Sequence, residues 1–154
     1  MAEVLMGGDL LSLTQGGVSV SWELLEGELR NYLLGQSTIT SMVGQRIYQV
    51  KIPQGGALPC VTLSRVSGSR VGILTGVSGL AHPRIQIDCW GTAYDSVKYL
   101  ADRLRLCLDG FRGNFSSIQI QGCHLLGDFD AYDDESEVFH TALDFEIWHV
   151  EAKP

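Results

Sequence analysis

Between Arg84 and Phe111 the hydrophobic period of the chain switches once, from two residues to 3.6. Ile85, Ile87 and Cys89 alternate with Gln86, Asp88 and Trp90, the pattern of a strand with one buried face. Gly91 interrupts it, Thr92 is placed to cap a helix, and Asp95 three residues on makes a short capping box. Val97, Leu100, Ala101, Leu104 and Leu108 then recur at helical spacing, and Gly110 stands where a C-terminal cap is expected. Upstream, the pattern predicts a helix over Trp22–Leu34, with Ser21 as cap, Leu25, Leu29, Tyr32 and Leu33 as its apolar stripe, and Gly35 as its end. Ile39–Val43 adds a short helical turn closed by Gly44, Ile47-Tyr48 is a brief extended piece, and Pro53 and Pro59 bracket a loop. Three more strands follow from alternation: Cys60–Val66 with Val61 and Leu63 inward, Ser117–Leu126 with Ile118 and Ile120 on one face, and Val138–Val150 with Leu143, Phe145 and Ile147 inward.

The order of elements is helix, strand, long arm, strand, helix, strand, acidic loop, strand. It predicts a single α+β domain: a mainly antiparallel four-stranded sheet, two helices packed on one face, and a long hairpin arm. The domain spans residues 21–150, between a Gly-rich extension (residues 1–20) and a short tail (residues 151–154). The arm, residues 67–83, mixes glycine and serine with apolar side chains and exceeds the usual connection length. Arg70, Val71, Ile73, Leu74, Val77, Leu80 and His82 on it are candidate oligomer or partner contacts. The other reading is a loop folded back over its own core. The second face of the sheet carries Asp88, Trp90, Gln119, Gln121, Asp144, Glu146 and Trp148. It is either solvated, or it lines a channel or meets a neighbour; Asp88, Asp144 and Glu146 are the candidate lumen-facing carboxylates. The acidic loop holds six carboxylates between Asp128 and Glu137. Asp128, Asp130, Asp133, Asp134 and Glu135 are read as a solvated loop or as a docking surface for a basic partner.

Charge and composition narrow the function. Among 154 residues, 18 acidic against 11 basic side chains leave a net charge of −7. Nonspecific grip on nucleic acid or an anionic membrane needs the opposite sign. No apolar run approaches the roughly 20 residues of a membrane helix, and the first residues lack the basic and apolar regions of a signal peptide. Cys60, Cys89, Cys107 and Cys123 form no C-x-x-C pair and sit inside apolar patterns, as reduced, buried thiols of a protein made in the cytoplasm do. His82, His124, His140 and His149 are scattered, without metal-ligand spacing, and are read as interface or edge residues. The acidic loop lacks the ligand spacing and sixth-position glycine of a calcium loop. No nucleophile elbow or phosphate-binding loop is present. The expectation is a protein without catalytic residues, metal or cofactor that works by shape and assembly.

Three segments carry a family resemblance: RIYQVKIPQGGALPCVTLSRVSG from Arg46, HPRIQIDCWGTAYDSVKYLADRLRLCLDGFRG from His82, and HTALDFEIWH from His140. In this order they resemble the tail-completion or tail-terminator proteins of long-tailed bacteriophages and of phage-like particles such as gene transfer agents. The resemblance runs from about Leu24 to His149. It implies a virion protein, assembled in the bacterial host cytoplasm, that forms a homo-oligomeric ring, usually of six copies. The ring caps the head-proximal end of the tail tube, stops its growth and joins the tail to the head connector. The implied partners are the major tail-tube protein and a head-side connector or stopper, with DNA passing through the lumen unbound and no membrane contact. A head-completion or stopper protein of the same neck, and a non-viral cytoplasmic binding module, are the alternatives.

Overall fold

The computed structural model describes residues 12–15, 18–21, 24–73 and 76–151. A small antiparallel hairpin, β1 (Ser12–Gln15) and β2 (Val18–Ser21), comes first. The remaining elements are α1 (Leu25–Leu34), α2 (Ser37–Val43), β3 (Ile47–Gln49), β4 (Cys60–Ser67), β5 (Arg70–Ile73), β6 (Gly76–Ala81), β7 (Arg84–Gly91), α3 (Tyr94–Leu108), β8 (Gly113–Phe115), β9 (Ile118–Asp133) and β10 (Val138–Val150), and all but β5 and β6 contribute side chains to one core cluster.

β3 to β10 form one eight-stranded sheet. β3 and β4 are parallel; the other pairings are antiparallel. β10 is its spine. One edge of β10 pairs with β7 from Phe139–Gly91 to Glu146–Arg84, and then with β6 at His149–Ala81 in the same register. The other edge pairs with β9 along nearly its whole length. β5 and β6 therefore prolong the β4–β7 pair into a hairpin, and the expected arm is regular β-structure. Gly79 and Ala81, at its base, are buried.

One face of the sheet is apolar. Val61, Leu63, Ile85, Ile87, Cys89, Leu143, Phe145 and Ile147 are at most 2% exposed. Against them pack Val97, Leu100, Leu104 and Leu108 of α3, Leu29 and Leu33 of α1, and Ile39 and Val43 of α2, all fully buried. Two glycines shape the α3 boundaries. A Cβ on Gly91 would lie 2.7 Å from Val97 Cγ2, so the strand approaches the helix only without a side chain there. Gly110, at φ 82°, takes the left-handed conformation just past the helix end and donates its N–H to Cys123 O.

The four-stranded, two-helix expectation needs correction. The sheet is mixed and larger, and a third helix, α2, joins the same layer. The acidic stretch is not a loop: Asp128, Asp130 and Asp133 lie in β9, and only residues 134–137 turn. The reason is pairing. Val138–Asp144 of β10 needs a ladder partner on its outer edge, and Gly127–Asp133 supplies it despite its composition. Neither proposed cap operates. α1 starts after Leu24 and α3 after Ala93, and neither residue makes a side-chain cap.

Leu104→Ala is expected to destabilise the fold by about 2–5 kcal/mol, the range for a leucine lost from a packed core. Urea denaturation followed by circular dichroism measures it. A change below about 1 kcal/mol would mean that α3 is not seated on the sheet as described.

Candidate functional site

The polar sheet face is built from two copies of one arrangement. In each, a carboxylate precedes a tryptophan by two positions on a strand, so both point to the same side: Asp88 and Trp90 on β7, Glu146 and Trp148 on β10. A histidine stacks on each indole. Trp90 and His140 lie 4.1 Å apart, centroid to centroid, at 3°, and Trp148 and His82 lie 4.2 Å apart at 12°. Each histidine also meets the acid: His140 Nε2 is 2.7 Å from Asp88 Oδ1, and His82 Nδ1 is 3.4 Å from Glu146 Oε2. Thr62 accepts from Trp90 Nε1 at 3.0 Å and Gln86 donates to Asp88 at 2.8 Å, while Trp148 Nε1 donates to Glu146 at 2.8 Å. Arg84 and Asp144 form an ion pair between the two sets.

This arrangement revises the reading of the three carboxylates. Asp88 is 7% exposed and enclosed by hydrogen bonds, so it presents no bare charge. Asp144 and Glu146 are half-buried, and each has a partner, Arg84 or His82. The sets were not foreseen. The repeated acid-x-Trp spacing is their only signal in the sequence; the histidines arrive from neighbouring strands through the register.

On the arm, Arg70 is exposed and pairs with Glu151 at 2.5 Å. Val71 and Leu80 are half-buried, and His82 sits on Trp148 at the arm's base instead of projecting from it. Leu74 lies outside the described residues, as do the side chains of Ile73 and Val77. The second hairpin, β9–β10, carries the acids. Asp130 faces α3, where it accepts from Thr141 (2.8 Å), Tyr94 (3.0 Å) and Lys98 (3.1 Å). Burial raises its pKa, but these donors outweigh it and hold the carboxyl below the ordinary range. Asp133 accepts from Ser136 Oγ at 2.6 Å and from the Glu135 N–H at 3.1 Å, which lower its pKa as well. Asp128, Asp134 and Glu135 are exposed.

A cleft of about 590 Å³ opens at the base of the arm, between the start of α1, the β4–β5 junction, the β8–β9 turn and the end of β10. Its rim carries the ion pairs Arg65–Glu26 (2.6 Å) and Arg70–Glu151. His149 lines it at 4% exposure, and among the described residues neither ring nitrogen has a hydrogen-bond partner of normal geometry. Burial holds its pKa below the usual histidine value. It is thus buried, with β10 paired on both sides there, so the edge half of the interface-or-edge reading does not hold. The thiols show no sign of activation. Burial pushes Cys60 up to about 11 and Cys123 up to about 12, and raises Cys89 further. Among the described residues no three acidic, histidine or cysteine side chains gather as a metal site, and no helix is long and apolar enough to cross a membrane.

Three helices on one face of a mixed eight-stranded sheet, with two long hairpins, define an α+β protein. Its family is shown by a direct match: the model of the tail completion protein gp17 family covers residues 27–150, and the chain belongs to that family. It is a structural component of a virion tail. A chain in the solved virion of a native gene transfer agent particle shares the fold, with a TM-score of 0.70 at 18% identity over 82% of this chain and 94% of that one. No curated protein matches in sequence.

Asp130→Asn tests the tie between the acidic hairpin and α3. A depressed carboxylate adds stability above its unfolded pKa of about 3.9 and loses it as pH falls through the lower folded value. The variant is expected to be less stable at pH 7 by about 1 kcal/mol or less, given partial exposure. The difference from wild type should shrink below about pH 4. Urea titrations at several pH values check both points; a constant difference down to low pH would contradict the charge-based tie.

Proposed function

We propose that the protein forms a closed ring of identical subunits at the head-proximal end of the tail tube, where it ends tube growth and joins the tail to the head-side connector. The observation that carries this reading is the β5–β6 hairpin on a chain of the tail completion family. It extends the sheet beyond β7 and ends in β5, the last strand in the order of the described sheet. A cyclic ring needs heterologous contacts that close on themselves, and a projecting hairpin is suited to make one.

The polar sheet face is proposed to line the passage for DNA. Among the described residues, pairing Asp144 with Arg84 and Glu146 with His82 leaves no free cation on this face to hold a polyanion, while the acids keep the balance negative. The head-side surface is then the place where other virion proteins dock.

Three outcomes are expected. Particles made without the protein should carry overgrown tail tubes in electron micrographs; headless tails of normal length would favour the stopper role. Deleting residues 70–80 should leave a folded monomer that neither forms rings nor caps tails, and rings that persist would remove the arm from the mechanism. Replacing Asp144 and Glu146 by lysine should slow genome delivery from assembled particles, and unchanged delivery kinetics would count against the lumen assignment.

A further inference from the structure

We propose that the cleft at the base of the arm is the receptor for the acidic β9–β10 turn of a neighbouring copy, so that each subunit docks its turn into the next. This deepens the ring reading and rests on it. The first observation is the orphaned imidazole. His149 is buried in the cleft wall, and among the described residues neither nitrogen has a hydrogen-bond partner of normal geometry. A buried polar group without a partner is destabilising and calls for an acceptor or donor from outside the subunit. The second is the start of α1, which shares that wall. Leu24 gives no side-chain cap, and the N–H groups of Leu25, Glu26 and Gly27 have no intrahelical acceptor. A carboxylate satisfies both, and the helix dipole favours it.

The chain itself carries the matching group. Asp134, Glu135 and Glu137 are exposed at the turn, and none has a side-chain partner among the described residues. Turn and cleft cannot meet within one subunit, since they lie at opposite ends of β10. Twelve steps of extended chain separate Glu137 from His149, on the order of 40 Å. A donor at one end of a strand and an acceptor at the other make a head-to-tail contact, the kind that closes rings. On docking, the incoming carboxylate competes with Glu26 for Arg65 and with Glu151 for Arg70; these four side chains and the helix start are the charged groups around His149.

The test uses the full chain in two variants. His149→Phe blocks the receptor; Asp134→Lys, Glu135→Lys and Glu137→Lys together block the donor. Each alone is expected to weaken self-association tenfold or more in sedimentation velocity. Their mixture should give dimers and no rings, because only one junction remains intact. His149→Phe should also raise the monomer's melting temperature, as loss of an unpartnered buried group would; His149→Gln serves if that variant does not fold. In parallel, a peptide of residues 130–138 is titrated into the donor-blocked chain. The His149 ring resonances should shift, and its pKa should rise toward the ordinary histidine value as a carboxylate arrives. Rings that persist in either variant, or a peptide that leaves His149 unmoved at millimolar concentration, overturn the docking while leaving the ring intact. Normal-length tubes in particles without the protein would overturn the ring reading instead.

Discussion

Everything in this fold is referred to the strand Val138–Val150. Both of its edges are paired, to β7 and β6 on one side and to β9 on the other, and its two faces have opposite chemistry. Side chains alternate with a period of two, so a slip of one residue would drive Asp144, Glu146 and Trp148 into the helix layer and expose Leu143, Phe145 and Ile147. The register is therefore held by the burial of the odd positions. Once it is held, the places of α3, of the arm and of the acidic hairpin follow, because each is covalently tied to a strand beside β10.

The same alternation explains why the polar face is chemically quiet. A sheet face away from its helices still holds side chains within reach of one another across strands. Here the indoles, imidazoles and carboxylates satisfy each other: Trp90 with His140 and Asp88, Trp148 with His82 and Glu146. Stacking fixes the ring planes, and the hydrogen bonds fix the acids. Such a surface holds its side chains in fixed mutual contacts and keeps a net negative charge, Asp88, Asp144 and Glu146 standing against Arg84.

The strand–helix unit from Arg84 to Leu108 was legible in the sequence because its periodicity is long and unbroken, and β10 for the same reason. The arm was legible as a hairpin from its length and glycines. The extension of β9 through Asp133 was not. Asp128, Asp130 and Asp133 disfavour strand, and only the unpaired edge of β10 demands it, a requirement visible in three dimensions alone. Helix starts were misplaced because serine and threonine near a boundary look like caps, yet the chain enters α1 and α3 at Leu24 and Ala93. His149 shares the parity of Phe145 and Ile147, so its burial could have been inferred from the pattern. Its lack of a partner could not, because that depends on which strands end beside it.

The distribution of satisfied and unsatisfied groups argues where assembly acts. On the polar face of the sheet Arg84 holds Asp144, and on the helix side Lys98 of α3 holds Asp130. Among the described residues, carboxylates without a side-chain partner lie where β9 turns into β10, and an unpartnered imidazole lies beside an uncapped helix where β10 finishes; the other buried nitrogen without a partner, Arg103 Nε, is on α3. A monomer selected for its own stability alone would gain by replacing His149 with an apolar residue. Retaining it is understandable if the relevant folded state is the assembled one, in which the neighbouring chain completes what the isolated subunit leaves open.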